Sequence, residues 1–133
     1  MRNDVPQLWE SAESFRRLVQ VDTSLDGIAA AFDLENDDAQ YRVFTEEEGI
    51  ACVVVYFTGL YQLGVWVRPN LRGLRRSRAW VGQAILELNV RPIFSVVKNH
   101  NDASLALFSS LGFRKLHQLP SKGADVVLTF DRL

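Results

Sequence analysis

Between Tyr41 and Val67 the chain follows a period of two, and its connections are too short for anything but hairpins. Tyr41, Val43 and Thr45 alternate with Arg42 and Phe44. Ile50 to Thr58 reads IACVVVYFT, rich in β-branched residues, and predicts a buried strand. Leu60 to Val67 predicts a third strand, with turns at Glu46 to Gly49 and at Gly59. An antiparallel meander is the expected outcome. Pro69 stops it, because proline cannot donate to a strand ladder. A helix is expected over 77–88, with Ala79, Val81, Ala84, Ile85 and Leu88 inward, followed by a strand over Pro92 to Lys98. Strand, helix and strand from Gly64 to Lys98 then form a right-handed parallel crossover.

The remaining elements follow from spacing and punctuation. Pro6 fits a first helical turn, and Leu8, Trp9, Phe15, Leu18 and Val19 recur at helical intervals, predicting a helix from about residue 6 to 20. Ser24 is placed to cap a second helix carrying Ile28, Ala29 and Phe32, with Asp26 in its first turn. Asp102 to Leu111 predicts a helix ended by Gly112. Phe113 to Leu119 and Val126 to Phe130 are the last strands, joined by a loop over Pro120 to Asp125. The expected order is α-α-β-β-β-α-β-α-β-β. The class is α/β (α+β): one domain over residues 1–133, a mixed and mostly antiparallel sheet with helices on both faces.

Composition narrows the function classes. Hydrophobic residues make up 47% of the chain, which suits an ordinary core, and no apolar run approaches the roughly 20 residues of a membrane span. Met1 to Pro6 is polar and of mixed charge, unlike a secretory or transit segment. Cys52 is the only cysteine, which removes internal disulfides and cysteine-based zinc sites and fits a cytosolic setting. His100 and His117 are not at metal-ligand spacing with carboxylates, so no metal is expected. Net charge is −1, but acids gather at Asp33 to Asp38 and Glu46 to Glu48, and bases at Arg68, Arg72, Arg75, Arg76 and Arg78. A local basic cluster on a near-neutral chain suggests a confined anion more than a long polyanion, and a solvated helix face is the plain alternative. Nucleic acid held by these arginines would show steep salt dependence.

The position of the cluster favours the anion. A strand that stops at Pro69 and turns into a helix presents N–H groups without internal partners, reinforced by the helix dipole. Arg72, Arg75, Arg76 and Arg78 surround that turn. At Val67, Pro69 and Arg72 the segment resembles the V-x-P-x-x-[RQ]-x-x-G-x-[GA] signature of the GNAT N-acetyltransferases, which cradles the pyrophosphate of acetyl-coenzyme A. Gly73 matches a residue common in the family, and Ala79 fits the helix that follows. The resemblance implies a coenzyme site made of Val65, Val67, Arg72, Gly73, Leu74, Arg75, Arg76, Ser77 and Arg78. Val65 and Val67 would offer main-chain groups to the pantetheine arm, in a gap between splayed strands. The two signature glycines fall on Arg75 and Ser77. Two readings of Arg75 stay open: its guanidinium grips a phosphate bidentately, or it fills the cradle and abolishes binding.

A second segment, Asn101 to Phe113, keeps the family spacing N-x-x-A-x-x-x-Y-x-x-x-G-F at Asn101, Ser104, Gly112 and Phe113. Asn101 reads as an N-cap accepting from residue 103 or 104; by resemblance it, Ser104 and Phe108 also touch the coenzyme. The tyrosine that protonates the departing thiolate in many members is Phe108 here. General acid catalysis is worth about 10²–10⁴ in rate, and Ser109, Ser110 or water are the substitutes at hand. Family bases lie on the central strands, which makes Glu47, Glu48 and Tyr61 candidates, with His100 at the end of the fifth strand. A solvated turn and a surface histidine are the plain readings of Glu46 to Glu48 and His100. Cys52 reads as core, and Trp66 adjoins the expected gap.

The resemblance covers roughly residues 41–131 and implies an acyltransferase. It would move an acyl group from acetyl-coenzyme A, or another acyl-coenzyme A, to an amine such as a protein lysine or N-terminus, in the cytoplasm, as monomer or homodimer. The acidic stretches would attract a cationic acceptor. The altered glycines and Phe108 support a rival reading: a GNAT-like fold that has lost catalysis and binds another protein, as in small phage-encoded members acting in a host cytoplasm or in virions.

Overall fold

A computed structural model describes residues 8–73, 76–118 and 123–131. The elements run β1 (Trp9–Ser11), α1 (Ala12–Val21), two single 3-10 turns (Thr23–Leu25 and Ile28–Ala30), β2 (Ala39–Glu46), β3 (Gly49–Phe57), β4 (Gln62–Val67), a 3-10 turn (Pro69–Leu71), α2 (Ser77–Leu88), β5 (Ile93–Lys98), α3 (Asp102–Ser110), β6 (Arg114–Gln118) and β7 (Asp125–Phe130). The meander, the crossover helix and the C-terminal strands stand where periodicity places them.

Three expectations change. The helix expected from about residue 6 begins at Ala12, because Ser11 is its N-cap, accepting from the Ser14 N–H at 3.1 Å. The residues before it form β1, with Trp9 opposite Arg42. Pro6, expected in the first turn of that helix, lies outside the described residues. The second helix does not form. Gly27 takes a left-handed φ of 91° between the two 3-10 turns, a break that glycine tolerates and a helix does not. Asp22, not Ser24, caps the first of them, and the Ser24 hydroxyl accepts instead from the Ile50 N–H at 3.1 Å. Ala29 and Ala79 are exposed. The third strand starts at Gln62 because Tyr61 turns with a φ of 54°.

The sheet has seven strands in the order β1-β2-β3-β4-β5-β7-β6. All neighbours are antiparallel except β4 and β5, which run parallel and meet in register only at Gln62 and Phe94. β3 is buried on both faces. Cys52, Val54 and Tyr56 pack with Val81, Ala84, Ile85 and Leu88 of α2 and Phe108 of α3. Val53 and Val55 pack with Ala12 and Phe15 of α1 and with Leu25, Ile28 and Phe32. β3 therefore carries no charged residue along its length, as burial on both faces demands.

One polar cluster ties the layers together. Glu87 of α2 accepts from Arg42 Nε at 2.7 Å and Nη2 at 3.2 Å, from Trp9 Nε1 at 3.0 Å and from Gln83 Nε2 at 2.9 Å. The Arg42 guanidinium also lies 4.3 Å from the Phe44 ring. Burial alone would raise the Glu87 pKa. Hydrogen bonds from Arg42, Gln83 and Trp9, with the Arg42 charge, outweigh it and hold the carboxyl below its ordinary 4.5. Tyr41 presents the opposite case. Its ring stacks on Phe15 at 4.0 Å, its hydroxyl is buried without a hydrogen-bond partner among the described residues, and burial raises its pKa.

Two outcomes are expected. Because the Glu87 pKa is lowered on folding, its contribution is complete above about pH 4.5 and is lost as pH falls through the lowered value. Glu87→Ala should cost about 1.5–3 kcal/mol in urea denaturation at pH 7, and Glu87→Gln should flatten stability between pH 5 and pH 3 relative to wild type. Tyr41→Phe should be neutral or stabilising by about 1 kcal/mol, since it deletes an unpaired buried hydroxyl and keeps the stack; a loss of stability in the same assay would show that the hydroxyl has a partner.

Candidate functional site

The parting of β4 from β5 creates the site. At the closed end the Phe94 N–H donates to the Tyr61 carbonyl at 2.8 Å, and the buried Ser95 hydroxyl donates to the Leu63 carbonyl at 3.1 Å. On the other side of β4 the Arg68 N–H donates to the Ala51 carbonyl of β3 at 2.8 Å. Main-chain groups alternate along a strand, so Val65 and Val67, like Tyr61 and Leu63, turn theirs away from β3. There β5 has already diverged, and a gap opens.

The gap is a cavity of about 370 Å³ lined by Ala31, Val65, Trp66, Val67, Leu71, Arg72, Gly73, Ser77, Asn101, Ala103, Ser104 and Leu107. Seven residues expected at a ligand site thus come together: Val65, Val67, Arg72, Gly73, Ser77, Asn101 and Ser104. Asn101 caps α3, accepting from the Ser104 N–H at 3.2 Å. Ser77 opens α2 at the cavity's edge, and its N-cap residue Arg76 makes no side-chain cap hydrogen bond, which leaves the helix start open to a partner. Gly73 turns the chain with a φ of 81°, and a Cβ there would meet nothing within 4 Å among the described residues. Glycine serves this turn for backbone conformation and not for space.

Other expected residues stand elsewhere. Arg76 pairs with Glu46, bordering a separate depression with Thr45, Glu47, Glu48 and Leu71. Arg78 donates to the Ser110 hydroxyl at 3.2 Å and to its carbonyl at 3.1 Å, at the far end of α3. Leu74 and Arg75 lie outside the described residues. Phe108 is core, 3% exposed and edge-on to Phe113 with ring centres 5.0 Å apart. The Ser110 hydroxyl is taken by the Leu107 carbonyl at 2.7 Å, and Ser109 is exposed.

No candidate base lines the cavity. Glu47 and Glu48 sit in the exposed β2–β3 turn, where Glu48 pairs with Arg68 at 3.4 Å. Tyr61 is at the closed end of the parting, 56% exposed. His100 is exposed beside Gly123. Burial, and then the nearby Tyr61 phenol, raises the Tyr56 pKa, so this core phenol stays protonated. Among the described residues no group of His, Cys, Asp and Glu is placed to hold a metal ion, and no helix is long and apolar enough to cross a membrane.

Sequence reasoning missed Ala31, Leu71, Ala103 and Leu107 as lining. Ala103 and Leu107 were findable, since they share a helix face with Asn101 and Ser104. Ala31 was not, because its place depends on turns that the sequence presents as a helix.

Cys52 is fully buried, and burial pushes its thiol up to about 12. It is not a nucleophile at neutral pH. A thiol-specific disulfide reagent at pH 8 should fail to label folded protein and should label it stoichiometrically in denaturant. Gly73→Ala should cost about 1 kcal/mol in thermal unfolding, from backbone strain alone.

No protein-family model matches the chain, and no curated protein matches it. Solved structures do. A spermidine N-acetyltransferase SpeG from Vibrio cholerae, solved with CoA and spermine, superposes with a TM-score of 0.58 at 14% identity, over 90% of this chain and 74% of that one. The Campylobacter jejuni N-acetyltransferase PseH, solved with acetyl coenzyme A, gives 0.59 at 15% identity over 92% and 90%. The N152L mutant of the Vibrio enzyme gives 0.58 at 16% identity, the match spanning 72% of this chain and 65% of that one. At such identities the likeness is one of architecture, and the fold of this chain is that of the GNAT N-acetyltransferases.

Proposed function

We infer that the gap binds an acyl-coenzyme A and that the protein transfers its acyl group to an amine. One observation carries this reading: β4 leaves β5 after Gln62, and the resulting cavity joins a free strand edge to the uncapped start of a helix. An extended amide chain pairs with the first, and phosphates are attracted to the second. Among the residues present, Val65 and Val67 would hold the pantetheine arm. Arg72, Gly73 and Ser77 would surround the phosphates, and Asn101 and Ser104 would close the far wall. An open strand edge suits an amide arm, and the Arg72 cation suits phosphates in sign of charge. Neighbours of the same fold were solved with CoA and spermine and with acetyl coenzyme A, which supports an amine acceptor and this donor.

The chemistry is amine attack on a thioester carbonyl with release of a thiolate. The cavity contributes position more than proton transfer. Arg72 is its only charged lining side chain among the described residues, and Phe108 gives no proton. A slow transferase is therefore expected, working through alignment. The exposed acids Glu47 and Asp33 to Asp38 would draw a cationic amine, a polyamine or a protein amine. The same lack of acids and bases favours a second reading, in which the fold binds the coenzyme or a protein partner without turnover.

Calorimetric titration with acetyl-coenzyme A and with desulfo-coenzyme A should give micromolar binding to both. Binding to neither at millimolar ligand would remove the acyl-coenzyme A reading. Thiol release with spermine or a lysine peptide should be detectable, at about 10²–10⁴ below the rate that a positioned acid provides. Tight binding with no thiol release above the rate without protein would select the second reading.

A further inference from the structure

Three outward carbonyls, that of Tyr61 just before β4 and those of Leu63 and Val67 within it, take three different kinds of donor. That of Tyr61 takes a main-chain N–H of β5, Phe94, at 2.8 Å. That of Leu63 accepts from a side chain of β5, the Ser95 hydroxyl at 3.1 Å. At Val67 the strands have parted, and the carbonyl accepts instead from the Nε–H of Arg72 at 2.7 Å. Arg72 closes the 3-10 turn Pro69–Leu71, so its side chain folds back over the strand end that it has just left. It lines the cavity and is exposed.

We propose that Arg72 is a latch on the β4 edge: its guanidinium stands in for a ligand's amide N–H at the Val67 carbonyl and is displaced when an acyl-coenzyme A enters. The proposal rests on the acyl-coenzyme A reading of the gap. The geometry makes exchange easy. The hydrogen bond is solvent-exposed, so breaking it leaves a cation that water or an anion can solvate. The carbonyl it vacates would otherwise go unpaired, and an amide of the incoming arm can replace the lost bond. The released guanidinium keeps a fork of donors suited to phosphate, next to the start of α2. Arg72 is thus a positioning residue with opposite effects on the two ends of one ligand. It competes with the amide arm and attracts the phosphates.

Acetyl-pantetheine, which carries the amide arm without phosphates, separates those effects. Wild type and Arg72→Ala are titrated with acetyl-pantetheine and with acetyl-coenzyme A by NMR, with a thermal melt of each protein. Loss of the latch should tighten acetyl-pantetheine roughly 2- to 10-fold, the worth of one exposed hydrogen bond, while acetyl-coenzyme A weakens. A residue serving only phosphate would leave acetyl-pantetheine unchanged, and a residue serving only structure would weaken both ligands. Either result overturns the latch and leaves the gap reading standing. In wild type, needing no variant, the Arg72 Nε–H resonance should shift and exchange faster on saturation with acetyl-coenzyme A; a resonance unmoved at saturation also overturns the latch. Wild type binding neither compound overturns the gap reading and the latch together.

Discussion

The molecule depends on a pair of parallel strands that closes at one end only. β4 and β5 are joined by the bond from Phe94 to Tyr61 and by the Ser95 hydroxyl on Leu63, and beyond that they share no register. A fully zipped pair would satisfy both edges and leave no room for a ligand. A fully separated pair would split the sheet and expose the core beneath it. The buried serine resolves the transition. Its hydroxyl spans a distance that the backbone no longer can, so a polar group 2% exposed is satisfied where the ladder ends. The cavity opens where that ladder ends.

Holding such a parting open requires rigid walls. α2 supplies one, since it packs on β3 through Val81, Ala84, Ile85 and Leu88 and is pinned to β1 and β2 through Glu87. The Glu87 cluster lies at the opposite end of α2 from Ser77, so the clamp sets the helix without touching the site. α3 supplies the other wall, through Phe108 in the core and Asn101 at its cap. Phe108 shows how one helix divides its work. Position 104 faces the cavity, and position 108, one turn on, is buried against Phe113.

What the sequence disclosed and what it withheld divide along physical lines. Local signals carried well. The span of α2, the Asn101 cap and the left-handed Gly112 after α3, with a φ of 102°, were all legible from residue type and spacing. The second helix was misread because Ile28, Ala29 and Phe32 have helical spacing, while Gly27 before them takes a conformation that propensity does not reveal. β1 was misread because Trp9 fits a helical stripe equally well. Its true partners, Arg42 and Glu87, lie far along the chain, and no local pattern encodes that pairing. The arginine cluster was legible as charge but not as geometry. Of its five members, Arg68 and Arg76 answer the glutamates of the β2–β3 turn and Arg78 answers Ser110. Arg72 alone among the described ones lines the cavity. Clustering in sequence did not mean convergence in space, because a turn and the first coil of a helix point successive side chains in different directions.

That dispersal bears on how chemistry and architecture separate in this fold. The strand parting, the uncapped helix and the capped α3 are backbone features, and they persist with little dependence on side-chain identity. Acid and base groups are single side chains, lost by single substitutions. The parted strands of this chain therefore do not depend on the side chain at position 108, where Phe108 is packed in the core. Apolar side chains such as Trp66, Leu71 and Leu107 line the cavity with Ser77, Asn101, Ser104 and Arg72, and Glu47, Glu48, His100 and Tyr61 stand outside it. Cavity architecture and acid–base groups therefore rest on different parts of this structure, the first on the parted strands and the second on side chains that stand outside the cavity.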